Sequence, residues 1–316
     1  FRDPSGHLFL HEGLVHRRVN ETYRDHYEAM MGSGFYESVV GEGWLIPHQE
    51  IVPGTVPGHQ DAYRILLPEQ IPFISYPYEW SFSQLKDAAL TTLAIQKITL
   101  DFGMTLKDSS AFNIQFFRGR PLLIDTLSFE KLREGEPWAA YRQFCQHFLA
   151  PLALIRYKHV GAGQLSRNYI DGVPLDLASA LLPNRSHIKP SMQMHIHLHS
   201  RLQSRFADKP DANVKRKGTF SLSAFRGLVD SLESAVSKLR WRAGSTEWTG
   251  YYDGDSYSPE AMTDKIETVD GFLREVEPKS VWDLGANTGL FSRLASDRGI
   301  ETVSFDQDPA AVESNY

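Results

Sequence analysis

Two groups of residues in the 316-residue chain have types and spacings that chemistry asks for. The first lies in Val281-Trp282-Asp283-Leu284-Gly285-Ala286-Asn287-Thr288-Gly289. A short apolar run enters, an acid closes it, two glycines bracket a tight turn, and Leu290 to Ala295 reads as a helix. Glycines let a ligand approach bare backbone, and a helix start offers unpaired N–H groups. A second apolar run, Thr302 to Phe305, ends on Asp306, an acid placed to take two ribose hydroxyls. The second group is Asp108, Asn113 five positions later, and Asp125, which closes the next apolar run, Pro121 to Ile124. Side chains of these types accept protons and offer oxygens to divalent cations.

The spacing of the first group is Gly-x-x-x-Gly, which differs from the Gly-x-Gly-x-x-Gly of the dinucleotide fingerprint. With Asp283 before the loop and Asp306 after the second strand, the stretch resembles class I S-adenosylmethionine-dependent methyltransferases. The resemblance implies that Asp283, Gly285, Ala286, Asn287 and Gly289 hold the methionine part of S-adenosylmethionine. It also implies that Asp306, with Gln307 beside it, holds the ribose. Asp308-Pro309 reads as the cap and first turn of a further helix.

The second group matches the Asp-x-x-x-x-Asn loop of protein kinases, and residues 1–205 resemble a distant branch of that fold. The resemblance implies Asp108 as base, Asn113 and Asp125 as magnesium ligands, and ATP as cofactor. The departures are several. Leu106-Lys107 stands where the family has histidine and arginine, and Thr126-Leu127 follows Asp125 in place of Phe-Gly. No glycine-rich phosphate loop is evident. No lysine stands in the first strands, so Arg17 or Arg18 would have to pair with a helix acid such as Glu28. Asp101-Phe102-Gly103 spells the kinase metal motif but precedes the loop, and reads as a helix end with Gly103 as its left-handed cap.

These groups need elements to carry them. Gly6 to Leu10 and Leu14 to Val19 read as a hairpin turning at Glu12-Gly13. Residues 21–40 read as one helix, Leu45-Ile46 and Tyr63 to Leu67 as strands, and Pro53 to Gly58 as a loop. A long helix starts near Ser81, with an apolar face of Leu85, Ala88, Ala89, Leu93, Ile95 and Leu100. Residues 137–159 and Leu175 to Leu182 are helical. Residues 207–218 form a polar linker, and Phe220 to Trp241 is a connecting helix. A further helix from Ser258-Pro259 turns Met262, Ile266, Val269, Phe272 and Val276 to the sheet; the methyltransferase resemblance implies that Tyr251, Tyr252 or Tyr257 closes over the cofactor, with ordinary packing the alternative.

The expected architecture is thus an α+β kinase-like domain of two lobes at 1–80 and 81–205. A linker and connecting helix follow at 206–245, then the start of an α/β Rossmann-like methyltransferase domain at 246–316. Two strands cannot bury such a core, so either the natural protein continues past Tyr316 or these strands lean on something else, and the fragment alone is expected to be inactive.

Net charge is −6, which gives no general attraction to nucleic acid. Cys145 is the lone cysteine, which points to a reducing, cytoplasmic setting. No apolar run reaches membrane-spanning length. His195, His197 and His199 would share a face on a strand and bind metal there; helical spacing of Met194, Leu198 and Leu202 favours a helix with solvated histidines. The function expected is methyl transfer to an unspecified acceptor, with two alternatives for the N-terminal domain: ATP- and magnesium-dependent phosphotransfer, or a non-catalytic pseudokinase-like module that presents substrate.

Overall fold

The computed structural model describes residues 3–198, 220–242, 244 and 258–316. They divide into two compact units, Phe1–Trp80 with Leu85–Arg240, and Ser81–Gln84 with Trp241–Tyr316. The architecture is mixed α and β with small sheets.

The first unit opens with the hairpin β1 (Gly6–His11) and β2 (Leu14–Val19), which turns where Glu12 and Gly13 both take positive φ. Helices α1 (Arg24–Gly32) and α2 (Phe35–Gly41) follow, then β3 (His48–Ile51) and β4 (Arg64–Pro68). The four strands form one antiparallel sheet in the order β1-β2-β4-β3. The single helix read over 21–40 is broken, because Gly34 adopts φ +81 and turns the chain before α2. The break lets Phe35 and Val39 join Tyr23, Tyr27 and Met30 in one core. The strand read at Leu45-Ile46 is a single parallel bridge from Leu45 to Leu123, and the ladder begins at His48.

Helix α3 (Phe82–Asp101) buries all six residues of its expected apolar face. It ends before Gly103, whose φ is +67. Strand β5 (Met104–Leu106) and the hairpin β6 (Ile114–Phe117) and β7 (Arg120–Leu123) follow; β8 (Phe129–Lys131) then pairs back onto β5. Helix α4 (Tyr141–Phe144) continues through a π-helical turn (Cys145–Leu149) into α5 (Ala150–Tyr157). After α6 (Leu165–Asn168) and α7 (Leu175–Leu181), α8 (Pro190–Met192) continues as a second π-helical turn (Gln193–Leu198). Helix α9 (Leu222–Lys238) is part of this unit and not a free connector. Phe225 meets Trp138, and Lys97 of α3 reaches Asp230 at 2.8 Å and Glu233 at 2.6 Å. The linker read at 207–218 lies outside the described residues.

The second unit holds α10 (Pro259–Val276), β9 (Ser280–Leu284), α11 (Leu290–Ser296), β10 (Glu301–Phe305) and α12 (Pro309–Asn315). Ser258 and Asp308 cap α10 and α12 through their side chains, as the Ser-Pro and Asp-Pro pairs predict. Strands β9 and β10 are parallel and in step from Ser280↔Glu301 to Leu284↔Phe305. The expected apolar face of α10 is half-buried at Met262, Ile266 and Val269 and is corrected at its C-terminal end. Phe272 and Val276 are 61% and 69% exposed, and no residue of the helix is fully buried. The sheet is too narrow to cover it: on β9, Trp282 and Leu284 are themselves 63% and 75% exposed. Among the described residues no helix is long and apolar enough to cross a membrane.

Candidate functional site

In the second unit the alternation of β9 sends Val281 and Asp283 to one side and the exposed Trp282 and Leu284 to the other. Gly285 then takes φ +83, and its N–H and that of Ala286 both donate to the carbonyl of Phe305, at 2.8 and 2.9 Å. The loop is thereby tied to the end of β10. Asn287 follows at φ +51, a left-handed position that asparagine tolerates better than most residues. Its N–H donates to Asp306 Oδ2 at 2.8 Å, and the N–H of Thr288 donates to Asn287 Oδ1 at 2.7 Å. Gly289, at φ +81, caps α11 and donates to the carbonyl of Ala286. The N–H groups of residues 285–289 are therefore all engaged, by Phe305 and Asp306 or within the loop. What the loop offers a ligand is open space at Gly285 and two carboxylates, rather than the free donors that a helix start suggests.

Asp306 accepts a second N–H, from Asp308, on Oδ1 at 2.8 Å. A carboxylate has about four acceptor positions, so with two taken by the described residues two remain for hydroxyl groups. Asp283 accepts from Ser292 Oγ at 2.6 Å, and that hydroxyl lies 2.7 Å from Ser304 Oγ. Sequence reading missed both serines; only their places one turn into the helix and two residues before Asp306 hinted at them. An open cavity of about 860 Å³ brings together Asp283, Gly285, Asn287, Asp306 and Gln307, with Lys265 of α10 on its wall. Among the described residues other than its chain neighbours, none has an atom within 4 Å of where a Cβ on Gly285 would be. Ala286 is buried beneath the loop, so among the expected cofactor residues it contributes backbone alone. The volume lies within the range of roughly 300–1,000 Å³ usual for small-molecule sites. The tyrosines at 251, 252 and 257 lie outside the described residues.

In the first unit the structure brings Asn113 and Asp125 together through Ser128. Asn113 Nδ2 donates to Ser128 Oγ at 3.2 Å, and Ser128 Oγ donates to Asp125 Oδ2 at 2.8 Å. Asp125 also caps the turn after it, accepting from Leu127 N at 3.0 Å, and it forms an ion pair with Arg17 of β2. Asp108 stands apart from this chain. Its Oδ1 accepts from Ser110 N at 2.9 Å, and among the described residues it shares no hydrogen bond or ion pair with Asn113 or Asp125. Its charge acts instead on His147, a buried ring. Burial lowers His147 to about 4, against the opposing pull of Asp108 and Asp171.

The expected pairing of Arg17 or Arg18 with Glu28 is corrected. Arg17 reaches Asp125, Arg18 makes a two-pronged pair with Asp61, and Glu28 is taken by Arg24 and Tyr63. Magnesium does not fit the residues present. A guanidinium already stands on the carboxylate that would hold it, and Asn113 is engaged with Ser128.

The expected solvated histidines are also corrected. His195 and His197 are fully buried on the π-helical turn. His195 lies between Tyr141 Oη at 2.8 Å and Ser231 Oγ at 2.9 Å. His197 lies between Ser179 Oγ at 2.7 Å and Ser186 Oγ at 2.8 Å. Ser186 Oγ gives its own hydrogen to Pro183 O at 2.7 Å, so it accepts from His197, and Nε2 of that ring carries the proton. Hydroxyls thus occupy the nitrogens that a metal would use. His199 lies outside the described residues.

No protein-family model matches the chain. A nodulation protein, NoeA of Rhizobium meliloti (strain 1021), is 34% identical over 321 residues, an alignment that takes in 100% of this chain and 67% of that protein.

Proposed function

The chain belongs to the NoeA family, and we propose that it is part of an S-adenosylmethionine-dependent methyltransferase whose kinase-like N-terminal module binds or presents a partner without catalysing phosphotransfer. The carrying observation is Asp306. It sits at the tip of a parallel strand, with two lone-pair positions unspent, beside a glycine-bent loop and a cavity of about 860 Å³. Bound S-adenosylmethionine supplies a sulfonium methyl for transfer. The chain's own part is to bind and orient: Asp306 takes the ribose diol, Gly285 leaves room for close approach, and Asp283, steadied by Ser292, faces the amino-acid end.

Positioning of this kind carries much of a displacement reaction, since it removes the entropy of bringing two groups into line. The acceptor is open. NoeA is named as a nodulation protein, and a part in nodulation is the setting that kinship suggests for this chain. The non-catalytic reading of the first unit is favoured over ATP- and magnesium-dependent phosphotransfer by the ion pair of Arg17 with Asp125. Calorimetric titration of S-adenosylhomocysteine into the complete natural protein tests the methyltransferase reading. Saturable one-to-one binding supports it, and absence of binding at millimolar ligand overturns it.

A further inference from the structure

We propose that Arg17 is the built-in counter-ion of Asp125, so that the first unit sets a guanidinium where a phosphotransferase would place a divalent metal. The proposal rests on the kinase-like reading of that unit and not on methyl transfer.

Asp125 receives three donors: Leu127 N and Ser128 Oγ at 3.0 and 2.8 Å, and the guanidinium of Arg17. That leaves about one of its four acceptor positions. Magnesium needs near-octahedral oxygen ligands at about 2.0–2.1 Å, and a cationic side chain against the same oxygen excludes it by charge and by space. The Arg17 and Asp125 side chains are 13% and 15% exposed, so the pair is shielded from water and from screening ions. Asn113 donates its amide hydrogen into the same chain through Ser128.

A second contact holds the hairpin to the same loop. Lys107 Nζ donates to Ser5 Oγ at 2.7 Å, while the backbone N–H of Lys107 donates to Ser128 O at 2.8 Å. Gly6 sits so close that a Cβ there would fall 2.0 Å from Arg18 O and 2.8 Å from Leu127 Cδ1. The first strand pair is therefore held to residues 125–128 by Arg17 from β2 and by Gly6 against Leu127, while Ser5, just before β1, is tied to Lys107, whose own N–H reaches Ser128. A metal-dependent cleft needs that space for the phosphates its cation bridges.

The test combines a spin probe with a thermal cycle. Mn²⁺, with and without ATP, is titrated into the wild-type protein and Asp125→Asn and followed by electron paramagnetic resonance. Melting is measured for wild type, Arg17→Met, Asp125→Asn and the double variant. The expected result is no Mn²⁺ uptake that depends on Asp125. Each single variant should melt roughly 5–10 °C lower, because each leaves one buried charge or acceptor unmatched. The double variant should recover at least half of the summed loss, since neither partner is then stranded. One equivalent of Mn²⁺ held by wild type and lost in Asp125→Asn overturns the proposal, and so do additive melting losses. If a single variant does not fold, the wild-type titration decides: uptake of one equivalent with ATP overturns, and none supports. Failure of the methyltransferase reading would instead appear as absent S-adenosylhomocysteine binding in every one of these proteins.

Discussion

Asp306 Oδ2 accepts the N–H of Asn287 at 2.8 Å across nineteen positions of chain, so the acid at the tip of β10 holds the loop that follows β9. The same carboxylate steadies the turn into α12 through Asp308 N. Its replacement therefore has two consequences that different variants separate. Asp306→Asn keeps one acceptor oxygen for a backbone N–H but loses the charge, and charged hydrogen bonds are worth about 1.5–3 kcal/mol. We expect S-adenosylhomocysteine to bind about ten- to a hundredfold more weakly to the complete protein carrying Asp306→Asn or Asp306→Ala. Asp306→Ala should also melt lower, because two loop N–H groups lose their acceptor. Unchanged affinity in both variants, read by calorimetry, would remove the ribose role.

Gly285 and Gly289 share a left-handed backbone but differ in their surroundings. A Cβ on Gly285 meets nothing within 4 Å, whereas one on Gly289 would fall 2.0 Å from Asn315 Oδ1. Asn315 can swing its side chain aside, so both alanine variants should cost mainly backbone strain, about 1–2 kcal/mol each. Their effects on ligand part company. Gly285→Val fills the open space beside Asp283 and should abolish binding, while Gly289→Ala should lower the melting temperature with only a small change in affinity. Equal losses of affinity in the two variants would mean that the space at Gly285 is not used by ligand.

How far the sequence revealed this arrangement depended on separation along the chain. Helix α3 was legible because six apolar residues share one face, and the Asp283 to Asp306 stretch because its parts lie within one strand-loop-helix-strand run. The pair of Arg17 and Asp125 joins residues 108 positions apart and leaves no local pattern. Helical spacing located the turn that carries His195 and His197, but not its burial. Their hydroxyl partners come from Tyr141, Ser179, Ser186 and Ser231 on other elements. The exposed side of α10 was misread for a related reason: periodicity marks an apolar face but says nothing about how wide the covering sheet will be.

Two rings with lowered pKa values, His147 buried and His48 half-buried, contribute to a stability slope in acid. Burial lowers His48 and His147 from the ordinary 6.5 to about 4, against the opposing pull of Glu50 on the first and of Asp108 and Asp171 on the second. The fold holds both rings neutral, while the unfolded chain takes up protons once pH drops below about 6.5. Stability is therefore full above that value and is lost as pH falls toward 4. Between pH 6.5 and 5, above most of the carboxylate range, each ring should cost about 2 kcal/mol. Chemical denaturation at pH 7.5, 6.5, 5.5 and 5.0 reads the slope. His147→Gln, which cannot titrate, should make it shallower; an unchanged slope would place the titrating groups elsewhere.

Gln115 of β6 makes the last prediction, because its side chain behaves like a piece of backbone. Its Oε1 accepts from Ser75 N at 3.0 Å, and its Nε2 donates to Ser75 O at 2.9 Å. One amide thus completes both hydrogen bonds of a residue in the segment that joins the small sheet to α3. Ser75 Oγ in turn accepts from Trp80 Nε1 at 2.8 Å, which fixes the entry to the helix. Gln115→Ala strands a donor and an acceptor together and should destabilise the first unit by about 2–4 kcal/mol. Gln115→Glu keeps an acceptor for Ser75 N but sets a second oxygen against Ser75 O, so near neutral pH it should fare little better than alanine. When the glutamate is protonated it regains a donor and should recover toward wild type. Amide hydrogen exchange at Ser75 reads the local effect. In Gln115→Ala it should rise far more than exchange within α3; protection unchanged there would show that the amide pair does not hold this segment.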